Sequence, residues 1–161
     1  IVDEDYNELP QGEVGTVTVK SDMNFTEYYN RPDLTEGIYR DGYFISSDAG
    51  YFDEDGFLYV LGRKDDMVNI GGLKVYPTEV EDAASKVAGV EDCICVPVSD
   101  KITGQALKLI VKKTADADCT AQSIRSAMIG KLDSYKLPKL IEFADKIERT
   151  ANGKLNRKAY K

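Results

Sequence analysis

One lysine near the end of the chain stands where an ammonium could be delivered to a reacting anion. Lys154 follows Asn152-Gly153 within the run Arg149-Thr150-Ala151-Asn152-Gly153-Lys154-Leu155-Asn156-Arg157-Lys158. Asparagine and glycine both tolerate positive φ, so the pair marks a tight turn. The turn would project Lys154 outward, an arrangement suited to a phosphate in transfer. Taken alone, the loop also fits a solvated lysine on a terminal segment. Lys154, Arg157, Lys158 and Lys161 form a local basic cluster able to meet an anion. Other chemistries are closed off. The 161 residues include no histidine, which removes Ser-His and Cys-His nucleophilic mechanisms and the commonest zinc ligand. The three cysteines lack paired metal spacing, and on a strand Cys93 and Cys95 share one apolar face as small hydrophobes. Unpaired thiols suit a reducing compartment, which points to the cytoplasm.

The elements that must position these groups fall into two regions. Up to about Lys64 the pattern is β-rich. Gly15 to Val19 alternates, and Tyr51 to Val60 reads as a hairpin across Asp55-Gly56. Met23 to Tyr43 is polar and aromatic, with Arg31-Pro32 breaking any long helix, and reads as an irregular connection. From Asp65 onward the pattern is mixed. Met67 to Ile70 and Leu73 to Val75 form short β-runs around Gly71-Gly72. Val80, Ala83, Ala84 and Val87 recur at helical spacing, with Thr78 and Glu81 as a capping box. Val90 to Val98 and Ala106 to Lys112 read as strands, followed by a helix from Thr120 with Ala121, Ile124, Met128 and Leu132 on one face. Leu140 to Phe143 is a last short strand before the Lys154 turn. The expected fold class is α+β: a short β-rich remnant followed by a small sheet with packed helices.

Composition narrows the partners. A net charge of -7 argues against nucleic acid, whose phosphates favour a basic face. No apolar run approaches the roughly 20 residues that cross a bilayer. The chain starts at Ile1 with no charged-then-apolar leader, which reads as a fragment without a targeting segment. Hydrophobic residues at 42% are enough for one or two modest cores.

Three ordered segments carry a resemblance that covers nearly the whole chain. Gly42 to Arg63 (GYFISSDAGYFDEDGFLYVLGR), Gly62 to Glu81 (GRKDDMVNIGGLKVYPTEVE) and Glu148 to Lys158 (ERTANGKLNRK) resemble the C-terminal signatures of the AMP-forming adenylating enzymes. That family comprises acyl- and aryl-CoA synthetases, peptide-synthetase adenylation domains and luciferases. The resemblance implies that residues 1–64 end a large N-terminal domain in a β-barrel-like subdomain. Residues 65–161 would then be a mobile C-terminal α+β domain behind a hinge at Asp65. It implies an ATP/AMP site in which Asp48 receives the ribose hydroxyls, a diol that suits a carboxylate with two acceptor oxygens. Here Ser46-Ser47 replaces the more usual threonine-glycine before that aspartate, as small polar residues expected to keep a turn.

Arg63 would meet ribose or phosphate with its planar fork, though it could also simply pair with Asp65 or Asp66. Lys154 becomes the catalytic residue, stabilising charge as a carboxylate attacks the α-phosphate of ATP. Gly71 and Gly72 would approach the pantetheine arm of CoA, or a carrier-protein phosphopantetheine, in the second half-reaction. Tyr135-Lys136 before Leu137-Pro138 is similar to a family loop near the thiol donor, or is an ordinary surface loop. The expected activity is acid:CoA ligation by the full-length enzyme, with this fragment alone inactive. The alternatives are a carrier-loading adenylation domain and a detached non-catalytic binding module. Expected partners are the protein's own N-terminal domain, a carboxylic acid, and CoA or a carrier protein, with no nucleic acid and no membrane span. Mg2+ is expected for the full-length enzyme but held outside this chain, as are the ATP phosphate loop and the acyl pocket.

Overall fold

Alternating β-formers and turn dipeptides build the first unit of the chain, Ile1–Asp65, and long helical stripes enter only in the second, Asp66–Lys161. The computed structural model describes residues 1–115 and 117–160. Lys161, counted above in the basic cluster, lies outside the described residues. The observed class is α+β.

In the first unit the elements are β1 (Gly15–Val19), α1 (Pro32–Thr35), β2 (Tyr39–Arg40), β3 (Tyr43–Phe52) and β4 (Leu58–Arg63). All pairings are antiparallel, with β1 along one edge of β3 and β2 then β4 along the other. The Asp55-Gly56 hairpin forms as expected: Phe52 faces Leu58, and the Asp53 N–H donates to Phe57 O at 3.0 Å. The connection from Met23 to Tyr43 is more regular than its composition implied. Arg31-Pro32 opens a helical turn, because the fixed φ of proline suits the first helical position. Asp41-Gly42, at φ 51° and 81°, is a two-residue hairpin loop joining β2 to β3. Ser46-Ser47-Asp48 is likewise not a turn but the middle of β3, where the Ser46 hydroxyl accepts the Asp48 N–H at 3.0 Å.

The second unit contains β5 (Val68–Ile70), β6 (Leu73–Val75), α2 (Pro77–Ser85), β7 (Val90–Asp100), β8 (Gly104–Lys113), α3 (Ala121–Met128) and β9 (Leu140–Phe143). Strands β7, β8 and β9 form one sheet in that order, β9 parallel to β8; β5 and β6 form a separate hairpin. Period-two alternation sends residues to opposite faces of the sheet. Cys93, Cys95, Leu107, Leu109 and Val111 pack with Val80, Ala84, Ile124 and Met128 of the two helices and with Val68 and Val75 of the hairpin. Ile94, Val96 and Ile110 point the other way and are covered by Ile147, Leu155 and Tyr160 from the C-terminal tail. The cysteines are free and buried, and burial pushes the Cys93 thiol up to about 12. Among the described residues no helix is long and apolar enough to cross a membrane.

Helix α2 begins two residues earlier than the capping box read from Thr78 and Glu81 implies. Pro77 is its first residue, and Glu79 reaches back to accept the Tyr76 N–H at 3.2 Å. This frees Glu81 for a different task. Its carboxylate is buried, accepts the Cys95 N–H on the outer edge of β7 at 2.7 Å, and takes Arg157 at 2.7 and 2.9 Å. Burial pushes the Glu81 carboxyl above its ordinary value, while the Cys95 amide and Arg157 oppose that shift. Arg157 is therefore not part of an anion-facing cluster; it is a largely covered strut between tail and helix. Its Nε is buried without a hydrogen bond, with Asp66 Oδ2 3.9 Å away.

Removing one member of a buried pair leaves the other uncompensated, at a typical cost of about 3–5 kcal/mol. Glu81→Ala is expected to lower the unfolding free energy of the second unit by that order and to speed amide exchange at Cys95. Glu81→Gln, which keeps an acceptor, should lose less. Urea unfolding with site-resolved exchange checks this, and a wild-type midpoint for Glu81→Ala would show that the pair carries no stability.

Candidate functional site

The two candidate nucleotide-binding residues are neighbours in the first unit. Asp48 on β3 stands directly opposite Arg63 on β4. Opposed residues of an antiparallel pair share a face, with Cβ atoms roughly 5 Å apart. Among the described residues no ion pair joins them: Arg63 lies 3.9 Å from Asp65, in a contact where both side chains are largely exposed. An acceptor and a fork of donors thus sit side by side, each with bonding capacity left. A bulge between Ala49 and Gly50 follows, and Gly50 passes so close to β4 that a Cβ there would meet Tyr59 O at 2.5 Å. The backbone on which Asp48 sits is pinned by that approach.

Asp65 lies in a 3-10 turn, Lys64–Asp66, and is exposed. The chain divides into its two units directly after it.

In the second unit the Gly71-Gly72 turn joins β5 to β6. Both residues have positive φ, 59° and 94°, which glycine adopts without steric cost. The Asn69 side chain accepts the Gly72 N–H at 2.8 Å, and Gly71 donates to Thr103 O at 3.1 Å. A Cβ on Gly72 would meet nothing within 4 Å, so this backbone is open to a visitor. Thr103 belongs to the β7–β8 turn, which Asp100 organises by accepting from Ile102 N, Thr103 N and Thr103 Oγ1 and by pairing with Lys139. Lys139 and then the Thr103 and Ile102 amides hold the Asp100 carboxyl well below the ordinary 3.8.

Lys154 sits at the other end of this unit. Arg149 and Leu155 form a bridge that closes the turn, and Gly153 at φ 78° makes it. Thr150 pins the lysine backbone from both sides: its N–H donates to Lys154 O at 2.8 Å, and its Oγ1 accepts Lys154 N at 3.2 Å. The side chain is exposed. Arg149 ties the loop to Asp92 near the start of β7 at 2.7 Å. Asp92 and Asp100 are eight positions apart along β7, roughly 26 Å at about 3.3 Å per residue. The anchor of the lysine turn and the anchor of the glycine turn therefore occupy opposite ends of one strand. The lysine's tail also packs on one face of the sheet, and the β5–β6 hairpin on the other.

Tyr135-Lys136 is no plain surface loop. Lys136 pairs with Glu79 at 2.6 Å and with Asp133 at 3.4 Å, and its own side chain is only 17% exposed. Tyr135 and Leu137 pack against the main core. Arg149, Asp92 and Asp100 had no sequence-derived role. Arg149 stood inside a quoted motif, but its partner lies 57 positions away and no local pattern pairs them. Among the described residues no group of three or more potential ligands converges to hold a metal.

Asp48 and Arg63 are paired across two strands of the first unit, and the second unit carries an exposed lysine on a tight turn. Residues 79–154 match the family model described as the AMP-binding enzyme C-terminal domain. The chain is 37% identical to a long-chain-fatty-acid–CoA ligase of Escherichia coli, over 98% of this chain and 28% of that protein. Among solved structures, ATP-bound MatB from Rhodopseudomonas palustris superposes with a TM-score of 0.84 at 31% identity, over 99% of this chain and 33% of MatB. The o-succinylbenzoate-CoA synthetase MenE of Bacillus subtilis, in complex with its acyl-adenylate intermediate, gives 0.92 at 28% identity, over 99% of this chain and 33% of MenE. The chain belongs to the AMP-forming adenylating enzyme superfamily, with residues 79–154 matching its C-terminal domain. It spans about a third or less of the length of these relatives.

The Asp100 geometry sets an acid limit on the turn that receives Gly71. A carboxyl whose folded pKa is depressed contributes stability that is present above its unfolded value and lost as pH falls through the folded one. Acidification from pH 7 to 4 should therefore leave the Ile102 and Thr103 amides protected, with loosening only below the usual carboxylate range. Asp100→Asn should loosen the turn at every pH. An NMR titration of those amides decides, and a midpoint near 4 would contradict it.

Proposed function

We propose that this chain is the working C-terminal portion of an AMP-forming acid:CoA ligase. In the first half-reaction a carboxylate oxygen attacks the α-phosphorus of ATP, the bond to pyrophosphate breaks, and an acyl-adenylate forms. In the second, the CoA thiol attacks the acyl carbon and AMP leaves. The observation that carries this reading is the separation of two different tools on one rigid unit. The lysine turn and the open glycine turn are anchored at opposite ends of β7 and pack on opposite faces of its sheet. One pocket can use both only in succession, which is what two half-reactions on a shared intermediate require.

The roles follow from chemistry. Asp48 accepts both ribose hydroxyls, and Arg63 beside it donates to ribose or phosphate. Lys154 places its ammonium against the charge that builds between the entering carboxylate and the leaving pyrophosphate, a fixed countercharge of the kind that dominates such transfers. Gly71 and Gly72 let the pantetheine arm run close to bare backbone. Asp65, in the exposed 3-10 turn, is the hinge that exchanges the two faces. Mg2+, the ATP phosphate loop and the acyl pocket belong to the N-terminal portion, so this chain alone does not adenylate. CoA is preferred over a carrier protein as acceptor because the relatives are named as CoA ligases. Three free, buried thiols support action in a reducing cytoplasm.

In the full-length enzyme Lys154→Ala is expected to slow adenylate formation by several orders of magnitude, at about 1.4 kcal/mol of barrier per factor of ten. Thioester formation from supplied acyl-adenylate should be nearly spared. Pyrophosphate release and thioester assays run separately test this, and equal losses in both would remove Lys154 from the first step.

The hinge has its own test. Asp65→Pro fixes φ near −65° and removes one backbone donor, so one orientation should be trapped and one half-reaction, the thioester step, should fail selectively. Wild-type rates in both steps, on protein of unchanged thermal midpoint, would reduce Asp65 to an ordinary linker.

A further inference from the structure

We infer that Arg149 is a positioning residue for Lys154, acting through a guanidinium that bridges the lysine turn to Asp92 on the sheet. The inference rests on the ligase reading above. One nitrogen of the Arg149 fork, Nη1, donates to the carbonyl of Gly153, the residue immediately before Lys154, at 2.9 Å. The other, Nη2, donates to Asp92 Oδ2 at 2.7 Å. The two contacts point in different directions from one planar, rigid group. The fork thus converts a flexible turn into an extension of β7.

Three features argue that orientation, not stability, is the purpose. The pair is half exposed, with side-chain exposures of 45% and 29%, and ion pairs this wet contribute little to folding. The contact lands on Gly153, the residue whose positive φ makes the turn. The remaining bonds of the lysine backbone all run to Thr150 inside the same loop, so they shape the turn without saying where it points. Among the described residues, the Asp92 contact is the hydrogen bond by which residues 149 to 154 refer the turn to the sheet. Lys154 has a long flexible side chain, and an ammonium delivered a fraction of its length off target loses its electrostatic effect.

The test uses the full-length ligase. Arg149→Ala should lower the kcat of adenylate formation by about 100-fold, the order expected for a misplacement near 1 Å. The KM for ATP should stay within roughly twofold, and thioester formation from supplied acyl-adenylate and the thermal midpoint should be unchanged, a split that a loss of folding would not produce. Arg149→Lys retains the charge, but one ammonium cannot span both partners, so it should recover only part of the rate. Asp92→Ala should lose as much as Arg149→Ala, and the double variant no more than either, because both act through one bridge. Lys154→Ala runs alongside as the reference. If Lys154→Ala abolishes adenylation while Arg149→Ala runs at the wild-type rate, the bridge is incidental and the inference is overturned with the ligase reading intact. Equal losses in both half-reactions for the stably folded Arg149→Lys, or additive losses in the double variant, would also overturn it. If Lys154→Ala itself is active, the ligase role of the turn fails and the inference falls with it.

Discussion

Glu81 is the residue on which the second unit turns. A carboxylate inside a protein is costly to desolvate and is tolerated only when its lone pairs are taken. Here they are taken from two directions: by the Cys95 amide at the free edge of β7 and by the Arg157 guanidinium from the tail. The three-way junction joins α2, the sheet and the C-terminal segment, and it has no apolar equivalent, because a methyl group could fill the space without holding an outward-pointing N–H. Among the described residues after Phe143 there is no strand or α-helix, so the tail bearing Lys154 depends on such side-chain anchors and on the small apolar cluster around Ile147 to stay on the sheet.

The same economy runs through the rest of the unit. Its three-stranded sheet is covered by helices on one side and by the tail on the other, so neither face is wasted on solvent. The two turns to which we assign function lie at the strand ends, where loops are free of packing duty. The two ends differ in chemistry as well as position. One presents bare backbone at a glycine turn, seated on a carboxylate-organised loop. The other presents a cation, seated on an arginine bridge. A single rigid strand lying between them makes their separation a fixed length.

Much of this was readable from residue order, and the failures have physical causes. The Asp55-Gly56 hairpin, the helix following Thr120 and the strand Leu140–Phe143 follow from local rules, and the structure has all three, although the helix ends at Met128, short of Leu132. Cys93 and Cys95 share a face as strand alternation requires. Asp41-Gly42 carried the same dipeptide signal but was masked by the polar, aromatic stretch around it. Ser46-Ser47 looks like a turn by composition, yet the pair falls where the β1–β3 register shifts, held inside β3 by the pairing of Ile45 before it and of Asp48 and Ala49 after it. The start of α2 moved because proline takes the first helical position, which shifted the back-bonding role from Glu81 to Glu79. The Glu81–Arg157 and Arg149–Asp92 pairs were out of reach because their members are 76 and 57 positions apart. Charged residues at such distances look like ordinary solvated surface until the fold brings them together.

The Glu81 contact with Cys95 also bears on how the protein behaves in a crowded solution. Strand β7 is an outer strand of its sheet, and an outer strand with free N–H groups is a template on which strands of other molecules can add. By occupying the amide at Cys95, in the middle of the most apolar stretch of that strand, a charged side chain from the protein's own helix leaves no continuous register for a foreign strand to copy. An edge guarded in this way resists strand addition from a second copy of the chain.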